Sequence, residues 1–253
     1  MMVWLRSALF NLLFFGITAT MAVAILPTLL LPRRWLMRIV RFWAGLMLSL
    51  LRHVCGIGLR VTGAERLPTS GPALVAAKHQ SAFDTIVWLR LLPDPAYVLK
   101  RELMYLPVWG WLARKARMIA VDRTAGAAAM RHLLRAGREA AAEGRQMVIF
   151  PEGTRVAPGA HVPYQPGVAA LAAATGLPVL PVATDSGVCW GRRSFRKRPG
   201  IITVAVLPPL PAGLKREELM RRLEAEIEAG TDRLLAARAV DNLVDEKGAR
   251  LRP

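Results

Sequence analysis

Twenty-five consecutive residues near the start of the chain, from Ser7 to Leu31, carry no charged side chain. A helix of this length covers the roughly 30 Å hydrocarbon core of a bilayer, because each residue adds about 1.5 Å. Pro27 leaves open whether such a helix crosses the bilayer or enters it only part of the way. Ala22-Val23-Ala24 resembles a signal-peptide cleavage site, but the apolar run continues past it, which favours a retained anchor.

A second apolar segment follows, from about Trp35 to Ile57. Its small or polar positions recur every three or four residues, which places them in one stripe of a helix. These positions are Arg38, Arg41, Gly45, Ser49 and Arg52. The pattern favours a helix lying in the membrane interface, and the alternative is a core helix packed against the following domain. We expect residues 1–57 to form a hydrophobic membrane anchor of two helices.

From Gly58 onward, short β-like runs alternate with helical ones. The alternation predicts an α/β fold with a mixed, largely parallel sheet flanked by helices. Strands are expected at Leu59–Val61, Ala73–Ala77, Tyr97–Leu99, Met118–Val121, Met147–Phe150, Val179–Ala183 and Ile201–Leu207. Helices are expected at Thr85–Leu92, Val108–Lys115, Ala125–Glu143, Gly167–Thr175 and Leu214–Ala237. We expect one domain over residues 58–240 and a polar tail over 241–253.

The formal net charge of +17 indicates an anionic partner, since cations attract the phosphates of nucleic acids, lipid headgroups and small substrates. A nucleic-acid binder would interleave aromatic and cationic residues on a soluble face, whereas several Trp and Phe residues here lie in the apolar N-terminus. A non-catalytic, basic membrane-binding protein is a further alternative. The two cysteines exclude a disulfide framework, and no Cys/His spacing predicts a zinc site, so we expect no metal.

The segment from Lys78 to Asp84 follows the apolar run Ala73–Ala77, so that His79 lies at the carboxyl end of a predicted strand. Open α/β sheets bind ligands at this edge. A turn before the next helix can fold Asp84 back onto His79. A carboxylate bound to one imidazole nitrogen fixes the tautomer and leaves the other nitrogen free as a general base. The alternative is a loop histidine beside a carboxylate at a helix N-terminus.

A second polar segment, Phe150-Pro151-Glu152-Gly153-Thr154-Arg155, also follows a predicted strand. The planar guanidinium of Arg155 suits a phosphate, Gly153 permits close backbone approach, and Thr154 adds a hydroxyl. Beside an anion, Glu152 would accept substrate hydroxyls or orient Arg155. The alternative for this segment is a surface turn with an exposed ion pair.

Four blocks of the sequence, in this order, resemble those of the glycerolipid acyltransferases, specifically the 1-acyl-sn-glycerol-3-phosphate acyltransferases. The blocks are His79–Asp84 (H-x-x-x-x-D), Lys100 to Arg123 with its D-R pair, Phe150–Arg155 (F-P-E-G-T-R) and the apolar, proline-containing Leu177 to Val182. The resemblance covers about residues 58–210. The chain departs from the family at Lys78, where many members have Asn, and at Val156, where many have Ser.

The resemblance implies transfer of an acyl group from acyl-CoA or acyl-acyl carrier protein to the sn-2 hydroxyl of lysophosphatidic acid, with no cofactor. His79, oriented by Asp84, is then the general base. Lys100, Arg123 and Arg155 are expected to hold the acceptor phosphate. Glu152, Gly153 and Thr154 are expected to shape the phosphate pocket. A lyso-ornithine lipid or another lysophospholipid is the alternative acceptor.

The same resemblance implies a protein of the inner membrane, with membrane lipids as partners, no nucleic acid and an active site facing the cytoplasm. The basic run from Arg192 to Arg198 is expected to form a loop. Such a loop would contact anionic headgroups or an acidic carrier protein, and a loop that is merely solvated is the alternative.

Overall fold

The computed structural model of the chain describes residues 1–122 and 125–250, and residues 241–250 by their backbone alone. The strands are β1 (Ile57–Thr62), β2 (Ala73–Ala77), β3 (Pro95–Lys100), β4 (Ile119–Val121), β5 (Gln146–Ile149), β6 (Val179–Thr184) and β7 (Gly200–Val206). The α-helices are α1 (Met2–Ala24), α2 (Arg33–Cys55), α3 (Phe83–Leu91), α4 (Trp109–Lys115), α5 (Gly126–Ala142), α6 (Gly167–Thr175), α7 (Ser186–Cys189) and α8 (Arg216–Arg250). Short 3₁₀ helices cover Leu26–Leu30, Ala64–Arg66 and Arg101–Tyr105.

The strands form one sheet of seven, in the order β1-β7-β6-β2-β5-β3-β4. Every neighbouring pair is parallel except β6 and β7, which are antiparallel. The predicted α/β fold with a mixed, largely parallel sheet is therefore confirmed. Because β2 to β6 all run in the same direction, their carboxyl ends share one edge of the sheet, which is where the polar segments of the sequence lie.

Helices cover both faces of the sheet, because its central strands are apolar on both sides. All residues of β5 and β6 are buried. On one face, Val148 belongs to a core that includes Trp88 of α3 and Met47 of α2. On the other face, Met147, the strand position just before Val148, belongs to a core that includes Leu223 of α8. The alternation of neighbouring side chains between two cores is the period of two that a strand imposes.

The helix α2 has two different faces. Met47, Leu51 and Cys55 are buried in the same core as Trp88 of the α/β domain. The core-helix alternative therefore describes this face, and the boundary expected at residue 57 runs through a shared core. The opposite face presents the arginine stripe to solvent, with Arg38, Arg41 and Arg52 all exposed. At the other end of the chain, α8 continues to Arg250, past the boundary expected at residue 240.

The helix α1 is, within the described residues, the one helix long and apolar enough to cross a membrane. Most of its apolar surface is free of the domain, as shown by Leu12 at 72% exposure and Phe15 at 67%. Its first half is nevertheless attached to the domain, because the amide of Lys197 donates to Ser7 Oγ over 2.9 Å and Phe10 packs edge-on against Trp190. Pro27 does not kink α1, since it lies in the 3₁₀ helix that turns the chain towards α2.

The close packing of α4 on the neighbouring 3₁₀ helix allows a test of the fold. A Cβ atom added at Gly110 would lie 2.0 Å from the backbone oxygen of Met104. We expect Gly110→Ala to destabilise the protein by about 1–3 kcal/mol, because backbone atoms must move apart. At Gly16 in α1 an added Cβ would meet nothing within 4 Å. Gly16→Ala is therefore the control, and thermal unfolding in detergent should separate the two variants; equal midpoints would contradict this packing.

Candidate active site

The carboxyl ends of three neighbouring strands bring the predicted site residues together. His79 lies two residues beyond β2, Phe150 directly follows β5, and Lys100 is the last residue of β3. The imidazole of His79 stacks on the ring of Phe150, with 4.0 Å between the ring centroids. The parallel pairing of β2 with β5, and of β5 with β3, thus places chain segments about 20 to 70 residues apart along one edge.

The side chain of Asp84 folds back onto His79, as the sequence predicts. Its Oδ2 atom lies 3.1 Å from His79 Nδ1. The same oxygen accepts hydrogen bonds from the backbone N–H groups of Gln80 and Ser81, over 2.7 and 2.8 Å. Both His79 and Asp84 are buried. The turn between β2 and α3 therefore holds the carboxylate in place, and the carboxylate orients the imidazole with Nε2 left for proton transfer.

Glu152 occupies a different position from the one expected for a substrate-binding residue. Its side chain is fully buried and does not line the cavity beside His79. Its Oε1 atom accepts a hydrogen bond from the backbone N–H of His79 over 3.1 Å. In return, the N–H of Val156 donates to the carbonyl of His79 over 2.7 Å. Glu152 thus joins the loop after β5 to the loop after β2 and has no direct access to a substrate in the cavity.

The buried position of Glu152 changes its proton affinity. Burial raises the pKa of its carboxyl from 4.5 to about 7, and the hydrogen bond from His79 and the charge of Lys78 act in the opposite direction. The Lys78 ammonium lies 3.6 Å from Glu152 Oε1 and 2.6 Å from both oxygens of Glu228 in α8. Two carboxylates therefore share one buried ammonium behind the histidine.

A cavity of about 870 Å³ opens beside His79. This volume lies at the upper end of the range for small-molecule sites. Apolar side chains from α1, α2, α4 and the segments between them line most of its wall, among them Met21, Ile25, Val40, Leu103, Leu112 and Met118. Four of the predicted binding residues also line it: Lys100, Gly153, Thr154 and Arg155. The cavity therefore combines a long apolar interior with a polar, cationic region at the histidine.

Comparison with known proteins agrees with the family that the sequence motifs resemble. A sequence model of the family described as Acyltransferase matches residues 58–185. A 1-acyl-sn-glycerol-3-phosphate acyltransferase of Pseudomonas aeruginosa is 33% identical over 235 residues, which cover 92% of this chain and 91% of that protein. The chain belongs to the acyltransferase family. A 1-acyl-sn-glycerol-3-phosphate acyltransferase of Limnanthes douglasii is 31% identical over 78% of this acyltransferase and 71% of its own length.

The fold of the acyltransferase also matches a solved structure. The crystal structure of the 1-acyl-sn-glycerophosphate (LPA) acyltransferase PlsC from Thermotoga maritima superposes with a TM-score of 0.76, covering 92% of this chain and 97% of that one at 24% identity. The match supports the architecture described above, and the expectation of an acyltransferase is confirmed by the sequence relatives.

Two features of the site were not predicted from the sequence. Arg192 donates to the backbone oxygen of Arg155 over 3.2 Å, and both Arg192 and Arg193 line the cavity. The sequence shows this basic run but not that it reaches the F-P-E-G-T-R loop of the acyltransferase. The ion pair of Lys78 with Glu228 joins residues 150 positions apart. Its only signal in the sequence was the lysine before His79, where many members of the family have Asn. Arg123, predicted to bind phosphate, lies outside the described residues.

The raised pKa of Glu152 predicts how stability depends on pH. A carboxyl with a folded-state pKa above its unfolded value stabilises the folded protein most at low pH, and this contribution is lost as pH rises through the folded pKa. Between pH 4.5 and about 7, the wild-type protein should therefore lose up to about 3 kcal/mol of unfolding free energy relative to Glu152→Gln. Denaturant titration at several pH values measures this difference, with exposed Glu226→Gln as the control. A difference between wild type and Glu152→Gln that stays constant with pH would contradict it.

Proposed function

We propose that this acyltransferase moves a fatty acyl group from a thioester donor to the sn-2 hydroxyl of lysophosphatidic acid, giving phosphatidic acid. The observation that carries the proposal is the His79–Asp84 pair opening onto an apolar cavity that Lys100 and Arg155 also line. This arrangement offers a base for a hydroxyl, space for an acyl chain and cations for a phosphate. The names of the relatives from Pseudomonas aeruginosa and Limnanthes douglasii support the same acceptor.

The reaction needs one proton acceptor and no covalent enzyme intermediate. Asp84 binds Nδ1 of His79, so Nε2 takes the proton of the acceptor hydroxyl as the oxygen attacks the thioester carbonyl. The C–S bond then breaks, and the departing thiolate receives the proton from the imidazolium. An ester and a free thiol result, so that atoms and charge balance. General-base help of this kind contributes about 10²–10⁴ in rate.

The apolar part of the cavity is proposed to hold the acyl chain of the donor. Its wall is built from α1, α2 and α4 as well as from the domain. Burying a chain there is favourable by about 0.8 kcal/mol per methylene. The chain would place its thioester next to His79, which lines the same cavity.

The phosphates of the two substrates are proposed to bind two adjoining groups of cations beside His79. Lys100 is the last residue of β3 and Arg155 follows β5, on one side of β2 in the sheet, and these cations, with Arg123, would hold the acceptor phosphate. Arg192 and Arg193 belong to the segment after β6, on the other side of β2. They would face the phosphates of acyl-CoA or the acidic surface of an acyl carrier protein. The proposed reaction uses no cofactor.

The surroundings of the site support action at a membrane. The exposed apolar side of α1, the arginine stripe of α2 and the exposed aromatic residue Phe195 in the basic loop would each contact lipid. Trp4 of α1 stacks on Phe195, and Arg196 lies over the ring of Trp4, so α1 and the basic loop form one surface. We place this surface on the cytoplasmic side of the inner membrane, where a thioester donor is available.

Purified protein incubated with lysophosphatidic acid and each donor should form phosphatidic acid, detected by chromatography. His79→Ala should lower the rate by about 10²–10⁴ or more, because the base is lost while the fold is kept. His132→Ala, which changes an exposed histidine of α5, is the control. Wild-type rates in His79→Ala would overturn the mechanism, and faster turnover of a lyso-ornithine lipid than of lysophosphatidic acid would overturn the proposed acceptor.

Substitution of Arg155 tests phosphate binding. Arg155→Ala should raise the KM for lysophosphatidic acid by about 10- to 100-fold, the value expected from a charge-assisted hydrogen bond of about 1.5–3 kcal/mol. The KM for the donor should change little. Arg60→Ala removes an exposed arginine of β1 that does not line the cavity and serves as the matched control. An unchanged acceptor KM in Arg155→Ala would count against its role.

A further inference from the structure

The residue directly before His79 is a lysine buried in the interior of the protein. The side chain of Lys78 is 1% exposed, and its ammonium lies 2.6 Å from both carboxylate oxygens of Glu228. Glu228 belongs to α8. Two residues further along the chain, at Gly230, this helix lies very close to the sheet. A Cβ atom added at Gly230 would lie 2.9 Å from the Cβ of Ala183 in β6. The absence of a side chain at Gly230 thus lets α8 bring Glu228 to the catalytic loop.

The charged groups around Lys78 are two carboxylates and one half-exposed imidazole. Glu152 Oε1 is 3.6 Å from the Lys78 ammonium, and Glu228 binds the ammonium directly. Glu228 also accepts from the hydroxyl of Tyr164 over 2.7 Å and lies 2.9 Å from Nδ1 of His161. Without Lys78, the carboxylates of buried Glu152 and partly buried Glu228 would lie near each other with no buried cation between them. Such an arrangement is strongly unfavourable unless one of them takes up a proton.

The Glu152 oxygen nearest to Lys78 is the oxygen that binds His79. Oε1 accepts the backbone N–H of His79, whereas Oε2 is buried and has no hydrogen-bond partner within the described residues. The ionised state of this carboxylate therefore depends on Lys78. A neutral carboxylic acid accepts an amide hydrogen bond more weakly than a carboxylate does. The position of the His79 backbone is consequently connected, through Glu152 and Lys78, to Glu228 on the last helix.

We propose that Lys78 is a positioning residue for His79: its ammonium, held in place by Glu228, favours the ionised form of Glu152, and ionised Glu152 fixes the backbone of the catalytic histidine. The proposal deepens the acyl-transfer function proposed above and rests on it. Neither Lys78 nor Glu228 touches the substrate cavity, since neither lines it. By this inference α8, none of whose described side chains lines the cavity, supports catalysis through Lys78.

The pH dependence of turnover carries the signature of this role. Burial raises the pKa of Glu152 and the nearby Glu228 raises it further, whereas the charge of Lys78 and the hydrogen bond from His79 lower it. Removing the lysine charge therefore leaves less ionised Glu152 at any given pH. The acid limb of kcat should shift to higher pH in Lys78→Met. The other titratable groups near the pair or in the site are Tyr164, His161, Asp84 and His79, and none of them is substituted in this variant.

The experiment compares Lys78→Met and the double variant Lys78→Met/Glu228→Met with wild type. We expect Lys78→Met to lower kcat by about tenfold, to shift the acid limb upward by about one pH unit, and to leave both KM values within about twofold. Replacing both partners of a buried ion pair by apolar residues often restores stability. The double variant should therefore regain the wild-type thermal midpoint but not the wild-type kcat. Recovery of kcat together with the midpoint would show a structural role and overturn the proposal.

A second comparison separates the effect through Glu152 from a direct effect of the lysine charge on the imidazole. Glu152→Gln has no carboxyl to titrate at this position. Adding Lys78→Met to Glu152→Gln should leave the acid limb where Glu152→Gln places it. A further upward shift in that background would mean that Lys78 acts on His79 directly, which would overturn the proposed route. Glu226→Gln, an exposed residue of the same helix, is the control for changes in α8.

Hydrogen exchange tests the proposal without any substrate. The amide of His79, followed by mass spectrometry on a peptide spanning residues 76–84, should exchange faster in Lys78→Met and in the double variant than in wild type. Unchanged exchange would overturn the inference. If the wild-type protein does not turn over lysophosphatidic acid, the proposed function fails, and the exchange experiment still decides on the positioning role.

Discussion

The parallel pairing of β2 with β5 is the constraint on which the site depends. It places the turn that contains His79 next to the F-P-E-G-T-R loop, and the two segments then bind each other through the backbone of His79. The imidazole stacks on Phe150 because that residue directly follows the neighbouring strand β5. Without this strand pairing, the Asp84 carboxylate could still orient an imidazole, but the apolar cavity and the cationic groups would not lie beside it.

The two buried carboxylates of the site differ in how well their oxygens are hydrogen-bonded. The oxygen of Asp84 that meets His79 also binds two backbone amides, so this carboxylate is well satisfied in the interior. Glu152 is less well satisfied, since one of its oxygens is buried without a hydrogen-bond partner in the described part of the chain. A buried polar group in this condition lowers stability and is typical of residues kept for function. The protein tolerates Glu152 because the ammonium of Lys78 lies close to it.

Local patterns were sufficient to predict the strands, the helices flanking them and the meeting of His79 with Asp84, which are five residues apart. They were not sufficient for contacts that depend on how distant elements pack. The Glu152 side chain points towards the buried Lys78, which is bound by Glu228 of α8, some 75 residues later in the chain than Glu152. No spacing rule in the sequence predicts that these three residues meet. The same limit applied to α2. An apolar helix face can pack against a membrane or against a protein core, and the sequence pattern is the same in both cases. Only the packing against Trp88 shows that this face belongs to the core.

The attachment of α1 to the α/β domain has a consequence for how this enzyme can be handled. Thr18 and Met21 of α1 and Ile25 just beyond it belong to the wall of the same cavity as His79. The segment proposed to attach the protein to the membrane thus also forms part of the wall of the cavity proposed to hold the acyl chain. Removing α1 to obtain a water-soluble enzyme would therefore also remove part of this cavity wall.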